Sequence, residues 1–353
     1  MDELNVILLA GRLDAAGSAC ALAPLLDALS RRHVHARVVC LAPNPADRAD
    51  LRFLECPALA GRWTSAFTLR SLVGSSQLRD ARLLHILHES MTDVGIALAD
   101  ARRLPYVQRL EDLDDLPAIL RIHRGWCRGL IVPSPGHAAE LVEGRGVPGD
   151  WVHVIPPGFP PGPDVAPAPG GTIPVVGTAL TSRTGHGLPC FLEAAQTVLQ
   201  RGCDAEFLIS VADPESPEVR RLTQSHGLAD RVSLADASRL DAPFWAVLDV
   251  FCHSASAFSS PRPLMRAMAG AVPCIAPAGP GIEPLIEDER SGVLVPPDDP
   301  EAMAAAILRL IRDPHEALSL GRQGHAVIRS QYPLDAEADR LAALYRASAE
   351  ADA

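Results

Sequence analysis

The sequence predicts an α/β protein made of two domains, each built around a parallel sheet. The chain has 353 residues, a length that suits about two domains of ordinary size. On both sides of its middle, short apolar runs alternate with longer helical patterns, which is typical of parallel α/β sheets. Between them lies PPGFPPGPDVAPAPGG (156–171), whose proline and glycine exclude helix and sheet interior. The predicted units are domains at 1–157 and 172–333, a stiff linker at 158–171, and a terminal helix at 334–353.

The elements of the first half follow from its apolar runs and its helical patterns. Strands are predicted at 5–10, 36–41, 83–87, 106–110 and 130–133. Helices are predicted at 21–32, 117–128 and 136–142. The last of these helices follows Ser134, which can cap its first turn with a side-chain oxygen.

The second half repeats this alternation with a different spacing. Strands are predicted at 175–177, 206–210 and 272–275, and helices at 187–200, 264–269 and 334–349. The run Asp299-Pro300-Glu301 predicts another helix, extending to about Ile311. It combines a capping oxygen, a proline in the first turn and a carboxylate at the positive end of the helix dipole.

Charge and composition limit what the protein can bind. The formal net charge is −11, which argues against nonspecific binding of nucleic acid, because that requires a basic surface. All 32 basic residues are arginine and there is no lysine, as a GC-rich genome would also produce. Any bound anion must therefore be held by arginine, histidine or backbone N–H groups.

The cysteines and the N-terminus indicate a cytoplasmic protein without an integral membrane segment. Eight cysteines are scattered with no close pair, which predicts buried thiols rather than disulfides or a zinc site. The opening MDELNVILLAGRL lacks a basic lead and is too short to span a membrane, so it reads as a first strand. His85, His88 and Glu89 have no spacing that fits a closed zinc site, so no metal is assigned.

The most specific segment is HSASAFSSPRPLMRAMAGAVPCIAPAGPGIEPLIEDERSGVLVPP, at 253–297. With VHVIPPGF (152–159), GHGLPCFLEAAQTVLQRGCDAEFLISV (185–211) and QYPLDAEADRLAALYRA (331–347), it resembles the retaining family-4 glycosyltransferases over most of 130–347. The resemblance implies the GT-B fold, in which two Rossmann-like domains face each other across a cleft and the last helix returns to the N-terminal domain. It also implies a nucleotide-sugar donor in the C-terminal domain, an acceptor in the N-terminal domain, and no cofactor.

The chain departs from that family at two positions. Where members carry two glutamates eight positions apart, facing the donor sugar and the ribose, this chain has Phe258 and Arg266. Phe258 either contributes to the donor site without a charge or closes an unused pocket. Arg266 has donors but no acceptor, so it cannot copy the ribose contacts, although it could pair with a phosphate or with a nearby carboxylate.

The turn between these two positions is the second candidate for donor contacts. In the family it offers backbone N–H groups to the donor, assisted by a helix N-terminus. Here two prolines remove donors from the turn, which Ser259, Ser260 and Arg262 could compensate. The alternative is a proline-stiffened helix start that binds no ligand.

Further candidates lie in loops of both halves. In TSRTGHG (181–187), Arg183 and His186 fall near the family's diphosphate-binding Arg and Lys. Gly17 belongs to a glycine turn before the first helix, a feature that any such turn can share. Glu111, where members often have a histidine, could be a general base if desolvated, or else a surface carboxylate.

Three functions remain open at this stage. The first is a retaining hexosyltransferase that uses a nucleotide-sugar donor and an unknown acceptor. The second is a catalytically inactive descendant that binds a nucleotide sugar or a second glycosyltransferase. The third is a UDP-sugar epimerase of the same fold, for which no acid/base pair can be identified. Arg183, Arg262 and Arg266 together could also form an anion site for a changed donor.

Overall fold

The computed structural model describes residues 3–11, 19–41, 50, 52–56, 65–114, 116, 120–160, 173–180, 187–211, 213–237 and 242–350. Two parallel sheets organise this part of the chain, in the strand orders β3-β2-β1-β4-β5-β6-β7 and β10-β9-β8-β11-β12-β13. The N-terminal strands are β1 Leu4–Leu9, β2 Val34–Cys40, β3 Phe53–Glu55, β4 Leu83–Ile86, β5 Tyr106–Arg109, β6 Cys127–Val132 and β7 Val152–Val154. The C-terminal strands are β8 Val175–Ala179, β9 Glu206–Val211, β10 Val232–Asp236, β11 Val250–Cys252, β12 Cys274–Pro277 and β13 Val293–Val295.

Helices connect the strands and supply the apolar faces that cover both sheets. In the N-terminal half they are α1 Ala19–Ser30, α2 Ser65–Gly74, α3 Thr92–Arg102 and α4 Pro135–Ala139. In the C-terminal half they are α5 Leu188–Gln200, α6 Pro217–Ser225, α7 Ala242–Ala246, α8 Arg262–Ala269, α9 Pro300–Arg312, α10 Pro314–Gln331 and α11 Leu334–Glu350. The predicted class, α/β with two parallel-sheet domains, is confirmed.

The sheets are parallel because each crossover returns a strand in the same direction, which brings the strand carboxyl ends to one edge. The central strands are apolar on both faces, as parallel strands covered by helices require. In the C-terminal domain α5 and α9 pack against one face, with Phe191 and Phe207 in an edge contact in that core. The loops of interest in both domains lie at the carboxyl edges.

The last helix packs on the N-terminal domain. Residues of α11 share a core with α1 and β1, and the fully buried Tyr345 places its hydroxyl 2.6 Å from Nδ1 of His85. At the surface, Arg32 Nε lies 2.6 Å from Asp339. The chain crosses between domains twice, where the backbone N–H of Phe159 donates to Tyr332 and that of Leu334 donates to Phe159.

The predicted helix at 117–128 is wrong over its described part. Residues 120–126 form extended and turn structure, and β6 begins at Cys127. The apolar side chains Leu120, Ile122 and Trp126 pack separately onto the N-terminal core instead of forming one helical stripe. Tertiary packing therefore overrides a local pattern that Gly125 already weakened.

Three findings concern the described residues as a whole. Seven cysteines with described side chains, at 40, 56, 127, 190, 203, 252 and 274, are free thiols. The histidines, cysteines and carboxylates of the described residues form no group of three that could hold a metal ion. None of their helices combines the length and the apolar character that a membrane span requires.

Candidate functional site at the domain junction

Two turns of the C-terminal domain meet at the carboxyl edge of its sheet. The first precedes α5, where Gly187 adopts φ +87°. A Cβ at this position would lie 2.2 Å from the carbonyl oxygen of Ser254, so only glycine fits. The second turn follows β11, and its Ser254 hydroxyl lies 3.0 Å from Thr178 at the end of β8. The α5 turn and the segment after β11 are therefore held in direct contact.

The segment after β11 is fixed by a buried histidine. His253 Nε2 lies 3.0 Å from the hydroxyl of Ser259, which itself donates to the carbonyl of Ser256 at 2.8 Å. Because that hydroxyl has only one proton, His253 Nε2 is the donor in their contact. Burial lowers the pKa of His253 to about 4, so the ring is neutral at pH 7. Ser259 is fully buried, and these contacts occupy its hydroxyl.

Phe258 contacts the N-terminal domain. Its ring meets the ring of His137, on α4, edge-on at a centroid distance of 5.9 Å. Its carbonyl accepts the backbone N–H of Leu113 at 3.0 Å. The side chain belongs to the apolar cluster of the N-terminal sheet, so the position that faces a donor sugar in the resembled family here joins the two domains.

Two further contacts close the same junction near Phe258. The Ser256 hydroxyl donates to the carboxylate of Asp114. At the start of α4, a Cβ on Gly136 would lie 2.1 Å from the carbonyl oxygen of Pro280 in the loop after β12. The domains approach each other so closely here that no side chain fits at Gly136.

The two domains are also joined by an interdomain charge cluster. It is formed by Arg109, Glu111, Arg262 and Glu337. Arg262, the first residue of α8, donates through Nε to both carboxylate oxygens of Glu111, at 2.8 and 2.7 Å. Arg109, at the end of β5, donates to Glu111 at 3.2 Å and to Glu337 of α11 at 2.7 Å. Arg262 Nη2 lies 4.0 Å from Glu337. Two guanidinium groups and two carboxylates thus balance each other across the domains.

The cluster is buried and is tied to the crossover. The side chains of Arg109 and Glu337 are 3% and 2% exposed, and those of Glu111 and Arg262 are each 14% exposed. Glu337 also accepts the backbone N–H of Gly158 at 2.8 Å, and Glu111 accepts the hydroxyl of Ser260 at 3.2 Å. Charges buried to this degree require such pairing to remain ionised.

Glu111 is therefore a buried, paired carboxylate and not a surface one. Burial alone would raise its pKa, but Arg262 and Arg109 outweigh burial and lower the pKa of Glu111 to about 2. A carboxylate with so low a pKa stays ionised and is a weak proton acceptor. In this arrangement its main contacts are electrostatic, to two arginines from different domains.

The remaining predicted residues lie apart from this cluster. Arg266, one turn after Arg262 on α8, lines a separate cavity with Phe159 and Trp245. Arg262 and Arg266 therefore do not converge on one anion site in this structure. Gly17, Arg183 and His186 lie outside the described residues.

Sequence reasoning missed two members of the charge cluster and one carboxylate beside it. Arg109 lies inside an apolar strand pattern, and Glu337 shares the buried face of α11 with Ala338 and Leu341, so both were detectable as charges at core positions. Glu89, three residues after the end of β4, lines a cavity of about 180 Å³ and accepts the backbone N–H of Glu111 at 3.1 Å. Burial raises the pKa of Glu89.

The whole described architecture is that of the GT-B glycosyltransferases. A glycosyltransferase from Rickettsia africae aligns with a TM-score of 0.71 at 12% identity, over 98% of each chain. Anabaena Alr3699/HepE, solved in complex with UDP and glucose, aligns with a TM-score of 0.71 at 16% identity, over 98% of this chain and 100% of that one. At these identities the likeness establishes the fold alone.

The sequence relationship is concentrated in the C-terminal domain. Residues 172–313 match the family model of glycosyl transferases group 1. The α-D-kanosaminyltransferase of Streptomyces kanamyceticus is 30% identical over 162 residues, which is 45% of this chain and 42% of that protein. The chain thus spans less than half the length of the curated relatives it matches. Its C-terminal domain is related to the glycosyl transferases of group 1.

Proposed function

We propose that the protein is a glycosyltransferase that takes a sugar from a nucleotide-sugar donor and transfers it with retention of anomeric configuration. The observation that carries the proposal is the contact between the Gly187 turn and the segment after β11, at the carboxyl edge of the domain that matches group 1. In open parallel sheets this edge is where ligands bind. The donor diphosphate would lie beside the α5 turn, with Arg183 as its counter-charge.

Chemistry at this site must proceed without the family's paired glutamates. Phe258 has no charge to stabilise a developing oxocarbenium ion, and Glu111 is held as a carboxylate by two arginines. The base would then be the leaving diphosphate, which departs from the anomeric carbon and takes the acceptor proton on the same face of the sugar. The acceptor would enter from the N-terminal domain, where Glu89 lines a cavity with Gln108.

One observation favours a second candidate, a non-catalytic subunit that binds a nucleotide sugar or a partner transferase. Phe258 packs on His137, and Arg262 pairs with Glu111. Both residues lie where the resembled family contacts its donor, and here both hold the domains together. A protein that no longer transfers sugar could in this way retain the fold and lose the two glutamates with which the family contacts its donor.

Calorimetry against UDP, GDP, ADP and their sugar conjugates tests the donor site. We expect micromolar affinity for one nucleotide series. In Arg183→Ala this affinity should fall at least tenfold, because the diphosphate loses its counter-charge. The matched control is Arg201→Ala at the opposite end of α5, where Arg201 pairs with Glu301, and its affinity should equal that of the wild type. Binding to none of these nucleotides would contradict the donor site.

Turnover separates the two candidates. The wild type is incubated with the bound sugar nucleotide and candidate acceptors, and nucleotide release is followed with time. Release accompanied by a product whose anomeric configuration, measured by NMR coupling constants, matches that of the donor supports the retaining transferase. An inverted product would contradict retention. Tight binding without release for any acceptor would favour the non-catalytic subunit.

A further inference from the structure

A cavity of about 520 Å³ lies on the outer face of α8, away from the two turns of the donor site. It is open to solvent on one side and is lined by residues of α7, α8 and α10 and of the two segments where the chain crosses between domains. Six of the residues that line it are Phe159, Trp245, Arg266, His325, Ile328 and Leu334. Its volume falls in the range of small-molecule sites, roughly 300–1,000 Å³.

Arg266 brings a half-buried positive charge to this cavity without a carboxylate to balance it. Among the described residues it makes no ion pair and no side-chain hydrogen bond. Asp335 also lines the cavity, but its carboxylate lies 3.2 Å from Arg31 and 3.0 Å from Arg32. A guanidinium in an apolar wall is stabilised by an anion, so Arg266 indicates a negatively charged ligand.

Two buried nitrogen atoms, on other residues that line the cavity, lack hydrogen-bond partners among the described residues. The indole nitrogen of Trp245, a residue only 7% exposed, makes no hydrogen bond within the described part of the chain. His325 must donate through Nδ1 to the carbonyl of Ala269 at 2.8 Å, because a carbonyl can only accept. Nε2 of the same ring is buried without a partner among the described residues. Both nitrogens are themselves inaccessible, so in this structure neither contacts a ligand in the cavity directly.

Most of the remaining lining is apolar and partly aromatic. Phe159 and Trp245 offer rings, and Ile328 and Leu334 offer aliphatic surface. The cavity therefore combines flat apolar walls with two arginine side chains, Arg266 and Arg329, and the paired carboxylate of Asp335. That combination suits a small organic anion with a ring-shaped body.

We propose that this cavity is a second ligand site, which binds a small organic anion carrying a carboxylate or phosphate on an aromatic or alicyclic body. The anionic group pairs with Arg266, and the ring lies against Phe159 and Trp245. The site is independent of the donor site, since none of the residues that line it belongs to the turns at Gly187 and after β11.

The first test is a titration of the ¹⁵N-labelled full chain, observed through its tryptophan indole N–H resonances. The probes are 1-naphthyl phosphate, 2-naphthoate and the neutral 2-naphthamide, and Trp245→Phe identifies the Trp245 resonance. We expect at least one anion to shift that resonance saturably, with an affinity at least tenfold higher than that of the amide. No saturable shift with either anion, or equal affinity for the amide, would overturn the proposal.

Variants then distinguish binding at this cavity from nonspecific binding of the probes. Arg266→Met keeps the apolar stem and should weaken anion binding at least tenfold, whereas Arg322→Ala, an exposed arginine on α10, should bind like the wild type. Ala269→Leu fills part of the cavity and should abolish binding while the melting temperature stays equal or rises. Unchanged affinity in both Arg266→Met and Ala269→Leu would refute the site.

A competition experiment separates this site from the donor site. The anion titration is repeated in the presence of saturating UDP, GDP or ADP, whichever nucleotide the protein binds. Simultaneous binding supports a separate site. Displacement of the anion by the nucleotide would show that both occupy one site, and it would contradict the proposal. If no nucleotide binds, the anion titration alone decides, because the cavity does not depend on a working donor site.

Discussion

Removal of the Glu111 carboxylate should destabilise the protein strongly, because it leaves a buried positive charge between the domains. In Glu111→Leu, Arg109 and Arg262 face only the single carboxylate of Glu337. Breaking a buried pair by removing one partner costs about 3–5 kcal/mol. The same group of residues should make Arg262→Met destabilising, since Glu111 would then keep only Arg109.

The pKa of Glu111 gives a consistent magnitude. The folded state lowers it from 4.5 to about 2, with the two arginines outweighing burial, and such a shift corresponds to about 3 kcal/mol. The sign follows from linkage: the contribution is complete above the ordinary pKa and is lost as pH falls toward the folded one. Glu111 should therefore stabilise the protein at pH 7 and lose this effect between pH 4.5 and about 2.

The assay is a double-mutant cycle with Glu111→Leu, Arg262→Met and the combined variant, measured by urea unfolding of the full chain. The double variant leaves Arg109 and Glu337 as a balanced pair at 2.7 Å. Its loss should be smaller than the sum of the single losses by about 2 kcal/mol, the coupling expected for residues in contact. Because the pair joins two domains, far-ultraviolet circular dichroism and tryptophan fluorescence should be recorded together to detect separate transitions.

A matched control is the pair between Glu287 and Arg290, which lies 2.8 Å apart on the surface with side chains 62% and 67% exposed. Removing either partner should leave the unfolding midpoint unchanged within error, since solvent screens such pairs. The reasoning is refuted if Glu111→Leu behaves like this control. It is also refuted if the losses of the two single variants simply add in the double variant.

Two further predictions concern acid and close packing. Burial lowers the pKa values of His85, His137 and His253, so as pH falls the unfolded chain binds these protons before the folded protein does. The free energy of unfolding should therefore decrease below pH 6.5, and His253, with its pKa of about 4, should contribute about 1.4 kcal/mol per pH unit. Urea midpoints from pH 8 to 5 measure this, and a flat profile would contradict it. Gly136→Ala should lower the melting temperature and increase the radius of gyration in X-ray scattering, because its Cβ would meet Pro280. Gly149→Ala is the control: its Cβ would have its nearest neighbour at 4.0 Å, so neither quantity should change. Equal effects of the two glycine variants would show that the domains do not meet at Gly136.

The parts of the fold that were predictable from sequence are those specified by local pattern. A run such as 83–87, apolar apart from His85, gave β4 because a buried parallel strand is mostly apolar on both faces. The start of α9 was predictable from Asp299, whose side chain accepts the backbone N–H of Ala302 at 2.9 Å. These signals lie within a few residues of the structure they determine.

The candidate site was less predictable because its contacts join distant parts of the chain. The departures at Phe258 and Arg266 were visible in the sequence, but nothing local indicates that Phe258 meets His137 or that Arg266 faces a different cavity. The pairing of Arg109 with Glu337 spans 228 residues. A charge at a core position can be recognised from the pattern, whereas its partner emerges only when the domains are assembled.

The interdomain charge cluster and the Phe258 contact have a common consequence for ligand binding at the donor edge. Both attach the turn that opens α8 to the N-terminal domain, through the ring of His137 and the carboxylate of Glu111. A ligand that needs this turn must either fit beside these contacts or bind only when they are broken. In the second case the observed affinity is the intrinsic affinity multiplied by the fraction of molecules with the contacts open. Weak nucleotide binding would then reflect the stability of the domain junction. The free energies from the Glu111–Arg262 cycle would set a limit on how far the observed affinity can be reduced.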